Sequence, residues 1–106
     1  MKIYISGPIS NDKDASFKFK KAEIYLRESG YDPVNPELIP FPKFNQPDFG
    51  EDGVWKYFMH QAIQKMMECE HIYMLKGWTE SRGARIEWDL ARQLGMIIHY
   101  EDNPEL

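Results

Sequence analysis

A single cysteine, Cys69, stands in a chain of 106 residues, so no internal disulfide can cross-link the fold. Positive charge is also scarce. Thirteen Lys and Arg against 17 Asp and Glu give a formal charge of −4, and no basic run exists to track along phosphates. That balance excludes a binder of duplex or single-stranded nucleic acid, while leaving small anions open through local sites. No apolar run approaches the roughly 20 residues of a membrane span, and the first residues alternate as a strand rather than as a signal peptide. The expected location is the cytoplasm, with no membrane contact. His60, His71 and His99 lack the paired spacing of a zinc site, so neither metal nor cofactor is expected. Length allows one domain, 1–106, with a core modest enough to gain from homo-oligomerisation.

What is present is an alternation of strand and helix patterns. Lys2 to Ser6 reads as a strand ended by Gly7-Pro8, and Ser16 to Ser29 as a helix stopped by Gly30. Tyr31 to Val34 is a second strand. Pro36, Pro40, Pro42 and Pro47 then exclude helix or central strand from a long loop, whose Phe41, Phe44 and Phe49 suggest a packed segment. Val54 to Glu68 carries apolar residues at Trp55, Phe58, Met59, Ala62, Ile63, Met66 and Met67, the spacing of a core-facing helix. His71 to Leu75, Ser81 to Leu94 and Met96 to Tyr100 complete the series as strand, helix and strand. Cys69 reads as a small buried hydrophobe at a helix end, and Met59, Met66 and Met67 as core filler; Met66, Met67 and the aromatic loop are also candidates for an oligomer surface. The fold predicted is a small doubly wound α/β domain, flavodoxin- or Rossmann-like. It has a parallel sheet in the order 2-1-3-4, helices on both faces, and a crevice at the carboxyl ends of strands 1 and 3.

Two motifs fall at that crevice. In the last helix, about 100° per residue puts Ala84, Trp88, Ala91, Leu94 and Gly95 on one side and Arg85, Asp89, Arg92 and Gln93 opposite, with Glu87 inside the apolar arc. An acid there is a nucleophile or base, or else half of a buried ion pair. Ser81 caps the helix, and its first-turn amides, with Arg82 and Gly83, offer an anion site. Glu87 lies roughly 9 Å further along the axis and leans back toward it, a separation that suits a 5′-phosphate and the anomeric carbon of one nucleotide. After strand 1, Gly7, Pro8, Ile9 and Ser10 form a second anion cradle, a weaker signal because Gly-Pro is a common turn. Tyr4 is placed to reach a sugar or Glu87, and Trp55 and Trp78 to stack on a base; packing is the alternative for all three.

Lys2-Ile-Tyr-Ile-Ser-Gly-Pro-Ile9, Val34-Asn-Pro36 and Gly77-Trp-Thr-Glu-Ser-Arg-Gly-Ala-Arg-Ile-Glu87 together resemble the nucleoside 2-deoxyribosyltransferase superfamily, in particular a small deoxyribosyltransferase-like family of phages and bacteria. The resemblance implies that Glu87 attacks the anomeric carbon and the base departs, with water or a second base accepting the sugar. The branch that hydrolyses deoxynucleoside 5′-monophosphates has a serine matching Ser81 and a tyrosine matching Tyr4, implying a monophosphate substrate. Asn35, His60, Trp55 and Trp78 would then line the base and sugar. Homodimers or larger homo-oligomers are implied as well. An aspartate of that branch falls on Ala62, so proton delivery to the base would need another group, His60 being a candidate. The alternative is a non-catalytic nucleotide-binding module, a sensor or sequestering protein; a third reading is an NAD-type glycohydrolase.

Overall fold

A computed structural model of the chain describes residues 1–9, 12–39 and 53–102. Four strands form one parallel sheet: β1 (Lys2–Ser6), β2 (Asp32–Val34), β3 (His71–Met74) and β4 (Ile97–Tyr100), in the order β2-β1-β3-β4. Among the described residues three α-helices, α1 (Ala15–Glu28), α2 (Gly53–Met66) and α3 (Arg82–Leu94), connect them. The predicted doubly wound α/β architecture and strand order are the ones found. Pro33 sits in β2 without harm because β2 is an edge strand, where a missing N–H is tolerated.

Alternation along the strands divides the core in two. Ile3, Ile5, Tyr73 and Leu75 pack with Ala15, Phe19, Ala22 and Leu26 of α1. Tyr4, Ile72 and Met74 face the other way, against Ala62 and Met66 of α2 and Ala84 and Ala91 of α3. Both faces of β1 and β3 are therefore covered, which is why these strands are apolar at nearly every position. α1 and α3 end alike. Tyr31 N–H bonds to the Leu26 carbonyl and Gly30 N–H to that of Arg27; Met96 and Gly95 repeat the pair on Ala91 and Arg92, with Gly95 at φ 75°.

Some sequence expectations are corrected. The proline-rich stretch opens with one turn of 3-10 helix, Pro36–Leu38: Pro36 takes the first helical position, and the Asn35 side chain accepts the Glu37 N–H at 2.9 Å. Phe41, Phe44 and Phe49 lie outside the described residues. Met66 is fully buried and cannot serve an outer surface, whereas Met67, one residue past α2, is 60 % exposed and is not core filler. Leu94 is 48 % exposed: the buried stripe of α3 runs through Ala84, Glu87 and Ala91, and Leu94 falls to its flank in the last turn. Cys69 is buried, and burial pushes its thiol up to about 11, so it is inert at neutral pH.

Candidate functional site

Glu87 is the buried acid of the described residues, 5 % exposed beneath α3. Tyr4 and Ser6 alternate with Ile3 and Ile5 along β1, which puts both on the side that α3 covers. The Tyr4 hydroxyl donates to Oε2 of Glu87 at 2.7 Å, and the Ser6 hydroxyl donates to Oε1 at 2.6 Å. Among the described residues no Lys, Arg or His forms an ion pair with Glu87. The carboxylate is thus held by two neutral donors, and the ion-pair alternative finds no partner among the described residues.

The electrostatics follow from that shell. Loss of water pushes the Glu87 carboxyl up from its ordinary 4.5 and the hydrogen bonds from Ser6 and Tyr4 pull it back part of the way, leaving it at about 7. Burial, then the neighbouring charge of Glu87, raises the Tyr4 phenol well above its usual range, so Tyr4 stays a donor. Near neutral pH roughly half the Glu87 side chains are ionised, which keeps both a nucleophile and an acid in reach.

The helix start is arranged as its sequence predicts. Ser81 has extended backbone angles, and its Oγ accepts the Ala84 N–H at 3.2 Å, capping α3 while its own proton stays available to an outside acceptor. Arg82 lays its guanidinium over the Trp55 ring, 4.3 Å from the centroid, so one face of that proposed base platform is taken by a cation. A Cβ on Gly83 would lie 3.0 Å from Sδ of Met59, which marks how closely α2 approaches α3 there. Trp78 is half-buried and stacks on Trp88 at 5.3 Å; the Trp88 indole N–H donates to the Tyr100 hydroxyl at 2.8 Å. Packing therefore accounts for at least one face of Trp78.

Gly7 and Gly77 mark where the turns after β1 and β3 come together. A Cβ on Gly77 would sit 3.8 Å from Cγ of Pro8, so the turn after β1 lies beside the turn after β3. A Cβ on Gly7 would lie 2.8 Å from Cβ of Leu75, which cannot swing away as a side-chain tip could. Gly7→Ala is therefore expected to lower the free energy of unfolding by about 2 kcal/mol; a urea midpoint equal to the wild type would contradict this contact. Pro8 is half-buried, and Ile9 packs on the α1 side of the core. Ser10 lies outside the described residues.

Two predicted pocket residues are placed less favourably. The Asn35 amide is engaged at both ends, its oxygen in the 3-10 cap and its nitrogen donating to Glu23 at 3.1 Å. His60 is exposed on α2, roughly opposite the buried Met59, Ala62 and Met66. Ser6, by contrast, is absent from the residues the sequence singles out. Strand alternation puts it on Tyr4's face, two residues further along β1, but nothing local marks its hydroxyl as used.

A family profile described as a domain of unknown function, DUF4406, matches residues 1–100. The chain belongs to that family. The match takes in every element from β1 to β4, so the Tyr4, Ser6 and Glu87 cluster lies wholly inside the DUF4406 domain. No curated protein and no solved structure matches the chain.

Proposed function

We propose that this protein cleaves, or transfers across, the N-glycosidic bond of a nucleoside or deoxynucleoside 5′-monophosphate, with Glu87 as nucleophile. The observation that carries the reading is a buried carboxylate held by two hydroxyls and, among the described residues, paired with no cation, in the second turn of a helix whose N-terminus Ser81 caps. The resemblance to deoxyribosyltransferase-like enzymes supports the same assignment. The phosphate would rest on the first-turn amides of α3 and the Ser81 hydroxyl, which sets the anomeric carbon over Glu87.

In the first step a Glu87 oxygen bonds to C1′ as the C1′–N bond breaks. That bond's electron pair leaves with the base, which takes a proton from water. In the second step another water attacks C1′ and gives up a proton, and Glu87 departs as the free carboxylate. Base and sugar 5-phosphate are the products; a second base in place of water gives transfer.

Ala62 favours one other reading. It is fully buried in the core, where the resemblance implies an acid, so no carboxyl there protonates the leaving base. A nucleotide-binding module without turnover would have the same pocket. Incubation with ribo- and deoxyribonucleoside monophosphates, the matching nucleosides and NAD, followed by chromatography, separates these. Free base from monophosphates but not from nucleosides is the expected result. Binding without release of base would establish the module instead, and release from NAD alone would establish a glycohydrolase of that class.

A further inference from the structure

Ser6 is the last residue of β1, with the turn Gly7-Pro8 directly after it, whereas Tyr4 lies two residues, roughly 6.6 Å, further down the strand. The two hydroxyls hold different oxygens of one carboxylate, so together they fix its plane. Either alone would leave the group free to turn about its last bond. Ser6 is itself fully buried, so its hydroxyl is not competing with water for Glu87. A serine on a covered strand face could be any small apolar residue unless its hydroxyl is used.

We propose, building on the catalytic reading above, that Ser6 is the positioning residue of this site: through its hydrogen bond it holds the Glu87 carboxylate in its attacking orientation. It acts through Glu87 and touches no substrate. Of the two hydrogen bonds that favour the charged form against burial, the one from Ser6 is the larger contributor. A purely structural serine would leave the titration of Glu87 where it is.

The experiment follows the 13C resonance of the Glu87 side-chain carboxyl, assigned by its loss in Glu87→Gln, through a pH titration of Glu-labelled protein. Ser6→Ala and Ser6→Cys, the second being near in size with a weaker donor, are expected to raise the midpoint by about one pH unit. Ser6→Thr, which restores a hydroxyl, is expected to bring it back. Where base release is measurable, the acid limb of its pH profile moves with the midpoint. An unmoved midpoint in folded Ser6→Ala or Ser6→Cys protein overturns the proposal, as does a folded Ser6→Thr protein that titrates like Ser6→Ala. If no nucleotide is turned over, the catalytic reading falls by itself, and the role of Ser6 is still decided by the titration.

Discussion

Glu87→Gln is expected to lower base release from a nucleoside monophosphate by on the order of 10⁴-fold or more while leaving the fold intact, since an amide oxygen is a poor nucleophile and cannot be ionised. The choice of glutamine matters. Its oxygen can accept from one of the Tyr4 and Ser6 hydroxyls, and its NH₂ can donate to the oxygen of the other, so neither is orphaned. Alanine would open a cavity under α3 and leave two buried hydroxyls unpaired, at roughly 1–3 kcal/mol each. Loss of turnover in Glu87→Gln, with near-native affinity for the monophosphate, would therefore locate the defect in the chemical step. Turnover within tenfold of the wild type would rule Glu87 out as the nucleophile.

How far this site is legible from residues alone depends on the kind of signal each residue carries. Glu87 stands out because a charge on a helical apolar stripe breaks a strong periodicity, and the stripe is real: Ala84 and Ala91, on either side of it, are buried. Ser81 is legible because a cap has local chemistry, and it precedes α3 as expected. Ser6 sends no such signal, since a serine at a strand end fits hydrogen bonding, turn formation and plain packing equally well. Only its partner across 81 residues of sequence distinguishes these. Trp55, Trp78, Asn35 and His60 show the opposite difficulty. Their chemistry suits a nucleotide pocket, but Arg82, Trp88, Glu23 and an exposed helix face are tertiary neighbours that no local pattern encodes. The sheet order was easier, because three helices alternating with four strands of this length leave few ways to bury both faces of β1 and β3.

The second large effect expected is on stability, and its sign is unusual for a carboxylate. In the unfolded chain Glu87 releases its proton near 4.5, whereas in the fold it holds it to about 7 because burial disfavours the charge. Between those values rising pH draws a proton from the unfolded state that the folded state keeps, so the protein loses stability as pH increases. The total is roughly 3 kcal/mol, complete above about pH 7 and absent below about pH 4.5. His99 works the other way. Burial and then the neighbouring His71, whose Nδ1 is hydrogen-bonded to its Nε2 at 2.8 Å, lower the pKa of His99, so its contribution is present above the ordinary histidine range and is lost as pH falls. Glu23, held below its usual range first by Asn35, likewise loses its contribution toward acid. The wild-type curve alone is therefore a sum of opposed slopes. Subtracting it from that of Glu87→Gln cancels the terms the two proteins share. The variant is expected to gain on the wild type by roughly 3 kcal/mol as pH rises from about 4 to about 8, measured by urea unfolding at intervals across that range. A difference that stays constant would mean that Glu87 titrates as an exposed glutamate does, against its burial and its two buried hydroxyl partners. Proton release from folded Glu87 near 7 ends that loss of stability and, in the proposed reaction, would create the nucleophile, so the pH at which the difference curve levels off should coincide with the acid limb of the turnover profile.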